Sequence, residues 1–311
     1  MAEDDGGYAA LFDGVAAFEW DRDVVRVTGP EAETYLQGQL SQDVTALPEG
    51  GSTWSLLLQP QGKLVAFVRV YRRSSDEFFL DSDAGVGAAM VERLLRFKLR
   101  TKAEVEQLDW QAIAVRGPQA VTPKPAASGD GALAVPFRWG ALNGYDLFCP
   151  APFRLDQLAL PAAVRARGEA YEAARVEAGF PRHGAELDER TIPAEAGLVT
   201  VAVSFTKGCY TGQELVARID ARGSNVARHL YGLLLTGPGQ PGATLYEAPE
   251  ADEAEKAVGS LTSVAWSPRS GWVGLCYVKR GLGPGHAVHL QGEGGQERGE
   301  VRALPLVPTG A

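Results

Sequence analysis

Apolar and polar positions alternate with two different periods along this chain. DVVRVT (23–28), STWSLLLQ (52–59), LVAFVRVY (64–71) and EFFLD (77–81) are short runs rich in β-branched and aromatic residues, which predicts strands. Between them, EAETYLQGQL after Gly29-Pro30 and AGVGAAMVERLLRF (84–97) predict helices; in the second, Val86, Met90, Leu94 and Phe97 recur at helical spacing. KLRTKAEVEQL and WQAIAVRG are again strand-like, so the first 120 residues mix antiparallel strands with two helices. VTPKPAASGDGA (121–132) predicts a surface loop. A second mixed unit follows, with a strand at GYDLFC (144–149), a helix near 155–166 and another at EAYEAARVEAG (169–179). From residue 228 the chain turns to short, glycine-punctuated strands, the pattern of a small β-barrel. The expected fold class is α+β, divided into lobes at 1–120 and 121–227 and a barrel at 228–311.

Composition narrows the function. A formal charge of −9 over 311 residues excludes the broad basic face that nucleic-acid binding needs. Three widely separated cysteines (Cys149, Cys209, Cys276) form no disulfide framework and no C-x-x-C metal pair, which suits a reducing compartment. The acidic N-terminus lacks the pattern of a signal or transit peptide, and no apolar stretch reaches the ~20 residues of a membrane span. A cytoplasmic protein with no membrane partner is expected.

One stretch stands out chemically. In KGCYTGQE (207–214) a cysteine sits beside Lys207, between two glycines, just before the helical pattern TGQELVARID. Thr211 and Glu214 are spaced as a capping box, which predicts Cys209 just outside a helix N-terminus. That position, next to a cation, is where thiolate chemistry is favoured. Two readings stay open on the residues alone: a small hydrophobe packed in a tight turn, or a reactive thiol. Cys149 and Cys276 lie in apolar strands and are expected in the core.

The segment V-x-F-x-K-G-C-Y-T-G-Q-E-L-V-A-R (203–218) resembles the signature of the YgfZ family of folate-binding proteins, relatives of the glycine cleavage T-protein aminomethyltransferase. VTGPEAETYLQGQLSQDV (27–44), RVEAGFPRHGAELDERTIPAEAGL (175–198), VGSLTSVAWSP (258–268) and VGLCYV (273–278) extend the resemblance over most of the chain, in order. The resemblance implies a cloverleaf of two α+β lobes around a central opening plus a C-terminal β-barrel. It implies tetrahydrofolate or a derivative as cofactor, with Glu177 and Glu195 on the pterin donors and Arg218, Tyr210 and Gln213 completing the folate site. It further implies Cys209 as the working thiol, with Lys207 beside it, in support of iron–sulfur cluster assembly, maintenance or repair. Iron–sulfur proteins or cluster-assembly factors would be the partners, tRNA-modifying radical enzymes among the beneficiaries, and Cys209 a transient cluster ligand at most. Val65 and Ala66 stand where T-proteins carry aspartates, and neither can accept a proton. The alternatives are a T-protein-type aminomethyltransferase or demethylase, and a folate-binding module with a structural Cys209.

Overall fold

The computed structural model describes residues 5–121, 131–157, 163–223, 225–247, 257–292 and 295–307. Helix α1 (Tyr8–Asp13) leads into strand β1 (Ala16–Trp20), and β2 (Arg22–Thr28) follows after a single residue. Helix α2 (Ala32–Gln39) then precedes β3 (Ser52–Leu58), β4 (Leu64–Arg72) and β5 (Glu77–Asp83). Helix α3 (Gly87–Lys98) and β6 (Glu104–Leu108) complete an antiparallel sheet in the order β3-β4-β5-β2-β6. One face of it buries Val25, Val27, Val68 and Leu80 against Leu36, Met90 and Leu94 of the two helices. This is the packing that the 3.6-residue spacing in α3 anticipates.

The second sheet contains β7 (Trp110–Arg116), β8 (Leu133–Trp139), β9 (Leu142–Pro150) and β10 (Val164–Arg165), with β1 between β10 and β7. Sheet membership therefore departs from the division at residue 120: β1 and β7, expected in the first lobe, belong to the second. The expected helix near 155–166 is also corrected. Residues Leu155–Gln157 form one 3₁₀ turn, and Val164–Arg165 is a strand running parallel to β1. Residues 158–162, like most of the predicted 121–132 loop, lie outside the described residues.

Helix α4 (Gly168–Ala178) and the short α5 (Val199–Ala202) and α6 (Gln213–Asp220) come next. The barrel comprises β11 (Arg228–Leu235), β12 (Thr244–Tyr246), β13 (Ala257–Ser267), β14 (Gly271–Lys279), β15 (Ala287–Gly292) and β16 (Gly295–Arg302), closed by β11 against β16. Leu233, Leu261, Val278 and Val288 fill its interior.

A shared core joins the three bodies: Trp54 and Phe67 of the first sheet, Phe18 and Phe137 of the second, Ala173 and Ala174 of α4, and Val273 and Leu275 of the barrel. Packed rings occupy the seam between the sheets, with Trp54 stacked on Phe67 at 4.7 Å and edge-on to Phe137 at 5.7 Å. A buried charge chain crosses the same seam. Arg22 and Arg69 pair with Asp81, Arg69 also pairs with Asp146 at 2.7 Å, and Asp146 pairs with Arg116 at 2.7 Å.

Candidate functional site

The cysteine loop takes its shape from what it leans on. Lys207 Nζ donates to the carbonyls of Gln37 and Leu40 (2.6 Å each) and Gln42 (3.0 Å), so its three protons have three acceptors. Burial pulls this ammonium down to about 8, while Asp43 acts in the opposite direction. The Lys207 amine thus clamps the cysteine loop to the end of α2 and the chain that follows it. Thr211 N–H donates to the Gly38 carbonyl at 3.1 Å, a further tie to the same turn of chain.

The capping box does not form. Helix α6 begins at Gln213, with Gly212 as N-cap at φ +87° and no side-chain cap. A Cβ on Gly212 would lie 2.6 Å from the Gln59 carbonyl oxygen, so close approach to the β3–β4 turn requires glycine there. Gln213 Oε1 accepts instead from Tyr210 N–H at 3.2 Å, and the Tyr210 ring is buried. Cys209 is exposed, whereas Cys149 and Cys276 are buried; burial pushes those thiols up to about 11 and about 12. Of the two readings of Cys209, the buried filler is excluded. Arg218 is exposed on α6.

A cleft of about 1670 Å³ opens where the three bodies meet. Phe18 and Trp20 of β1, Asp83 of β5, Tyr171, Glu172 and Arg175 of α4, Arg182 and His183 of the following loop, and Thr262, Trp266 and Trp272 of the barrel line it. Arg175 holds Glu172 through two bonds of 2.8 and 2.7 Å. Burial raises the Glu172 carboxyl, but Arg175 and Arg182 outweigh it and leave the group below its ordinary range. Behind the wall, Trp20 Nε1, the Tyr171 hydroxyl and His183 Nδ1 are buried without a hydrogen-bond partner among the described residues. Aromatic walls with a few convergent charges are the usual make-up of a small-molecule site.

None of the expected folate contacts lines this cleft. Glu177 is buried and both of its carboxylate oxygens are engaged: Oε2 accepts from the Tyr8 hydroxyl, and Oε1 from Ser267 Oγ at 2.5 Å and Ser270 Oγ at 2.9 Å. Glu195 pairs with Arg228 at 2.9 Å. Tyr210, Gln213 and Arg218 sit with the cysteine loop, which is also absent from the lining. Sequence reasoning missed Glu172, Tyr171 and Trp20, although the first two stand only three and four residues before Arg175 of the quoted block. Val65 and Ala66 are buried in the core of the first lobe, so no ionisable side chain occupies those positions.

Comparison with known proteins follows this architecture. The GCVT N-terminal domain family matches residues 13–124. An aminomethyltransferase of Rubrobacter xylanophilus is 31% identical over 282 residues, covering 82% of this chain and 73% of its own. The chain belongs to the YgfZ/GcvT-like family. A tRNA-modifying protein YgfZ of Hamiltonella defensa is 29% identical over 222 residues, 66% of either chain. The crystal structure of the glycine cleavage system aminomethyltransferase T from Bartonella henselae superposes with a TM-score of 0.83 over 97% of this chain and 89% of that one, at 22% identity. The YgfZ/GcvT-like cloverleaf, with its closed six-stranded barrel, is thus the fold of this chain. No helix among the described residues is long and apolar enough to cross a membrane. No group of three or more metal-ligating side chains occurs among them either.

Proposed function

We propose that this YgfZ/GcvT-like protein binds tetrahydrofolate or a derivative in the three-body cleft. In this reading it supports the assembly, maintenance or repair of iron–sulfur clusters in other proteins, tRNA-modifying radical enzymes among them. The observation that carries the reading is the exposed Cys209 on a loop clamped by Lys207, in a chain whose other two thiols are buried. A rigid, accessible thiol serves a partner protein better than a mobile one, because less order has to be imposed on binding. The cleft supports the folate part: its aromatic faces suit a flat bicycle, and Arg182 on its lining suits a carboxylate tail.

One thiol does not hold a cluster, so further ligands come from the partner iron–sulfur protein, an assembly factor or a small thiol. Cys209→Ala leaves tetrahydrofolate affinity within about twofold, because Cys209 is outside the cleft, and abolishes support of cluster-enzyme activity in cells lacking the natural copy. Normal support by the alanine variant would sink the thiol assignment.

A second reading, folate-dependent aminomethyl transfer, is favoured by the 31% identity to an aminomethyltransferase. The buried Val65 and Ala66 argue against it, since neither moves a proton. Turnover of an aminomethylated carrier protein with tetrahydrofolate by the purified chain would establish it instead.

A further inference from the structure

Trp266 is 57% exposed, and of the large hydrophobic side chains exposed among the described residues it alone lines the cleft. In β13 its neighbours Ala265 and Ser267 are buried, so the strand alternation turns the indole outward at the barrel rim. Trp272, directly opposite on β14, also lines the cleft. The two rings pack 5.4 Å apart at 70°, an edge-to-face contact. Such a contact covers at most one face of Trp266, so at least one broad face is left clear of Trp272.

The backbone beneath that ring is immobilised. Ser267 is fully buried; its Oγ donates to Glu177 and accepts the N–H groups of Arg269 and Ser270, each at 3.1 Å. Ser270 Oγ donates to the same carboxylate. Glu177 thereby pins the β13–β14 turn from the core side, and Trp266 is held in place before any ligand arrives.

We infer that Trp266 is a stacking platform for the flat ring of the ligand in the cleft, braced edge-on by Trp272 and positioned through Ser267 by Glu177. The assignment rests on the folate reading, in which that ring belongs to a reduced folate. It gives Glu177 a positioning role one step removed from the ligand. The competing account is that the tryptophan pair merely stabilises its hairpin, as cross-strand aromatic pairs do.

Anaerobic calorimetric titration with tetrahydrofolate separates the two, run on the full chain with its urea midpoint measured in parallel. Trp266→Leu keeps apolar bulk but has no flat face, and its affinity falls about tenfold. Trp266→Phe keeps a flat face and stays within about threefold of the unaltered protein. Equal affinity for Leu, Phe and unaltered chains would overturn the platform while leaving folate binding intact. Equal weakening by Leu and Phe would overturn it as well. Failure of the unaltered protein to bind tetrahydrofolate would remove the folate reading and this assignment together.

Discussion

Replacing Asp146 by Asn keeps the shape of a fully buried side chain and removes its charge. Three arginines and three aspartates, Arg22, Arg69, Arg116, Asp81, Asp83 and Asp146, form the chain of pairs across the seam. Asp146 Oδ1 accepts a hydrogen bond from Arg116 at 2.7 Å, and Oδ2 lies 2.7 Å from Arg69 in a second ion pair. Arg116 is 0% exposed and Asp146 is its single ion-pair partner among the described residues, so the Asn variant leaves an uncompensated guanidinium in the core. Breaking a buried pair in this way costs about 3–5 kcal/mol. Two unit charges about 4 Å apart at an effective dielectric of ~20 give about 4 kcal/mol, the same size. Urea unfolding followed by both tryptophan fluorescence and far-ultraviolet circular dichroism reads the loss as a lower midpoint at constant slope. The pH dependence gives a second check. Burial alone raises the Asp146 carboxyl, but Arg116 and Arg69 outweigh it and hold the group below its ordinary range. A depressed carboxylate contributes fully above its unfolded value of about 3.9 and loses that contribution as pH falls through the lower folded value. The gap between unaltered and Asn proteins therefore narrows in strong acid. A loss under about 1 kcal/mol at neutral pH, or a gap that widens in acid, would refute the reasoning.

Two further outcomes follow from the cysteine loop. Aromatic-disulfide titration at pH 7.5 shows one fast thiol in the native protein and three after denaturation, because Cys149 and Cys276 are buried and held mainly protonated; two fast native thiols would contradict the packing. Lys207→Met strips three carbonyls of their donor and lowers stability by about 2 kcal/mol in urea titration. Burial holds the folded Lys207 ammonium at about 8, so the opened loop, with lysine at its ordinary higher value, binds more protons; opening is therefore disfavoured as pH rises through about 8, and proteolysis at residues 205–212 falls there relative to the Met variant.

Elements whose partners are near in sequence were legible. The helix at 169–179, the strand at 64–71 and the barrel hairpin around 258–278 follow from spacing and turn residues, and they form. Strand β1 was not legible, since AAFEW is short and its antiparallel partner Trp110–Arg116 lies far downstream. The capping box failed for a tertiary reason: Gly212 must approach the Gln59 carbonyl, and this takes the cap position away from Thr211. Motif resemblance drew Glu177 out as a pterin contact but could not show its surroundings, because Ser267 and Ser270, which bond its carboxylate, come from a hairpin about ninety residues away. Cys209 was legible as the unusual cysteine. Its exposure depended on a loop-to-loop clamp that sequence spacing does not encode.

The placement of β1 bears on how the protein is made. Asp21 and Asp109 are single-residue joints between the two sheets, so the whole first sheet is spliced between β1 and its neighbour β7. On the ribosome β1 emerges before the first sheet and waits about ninety residues for that neighbour. At 5–20 residues per second this delay is roughly 5–20 s. Meanwhile the intervening sheet has all its own strands and can close first, leaving Ala16, Ala17 and Phe18 as an unpaired apolar edge. Slow translation or a stalled chain at this stage presents that edge to chaperones, and to other nascent copies, before the second lobe exists to cover it.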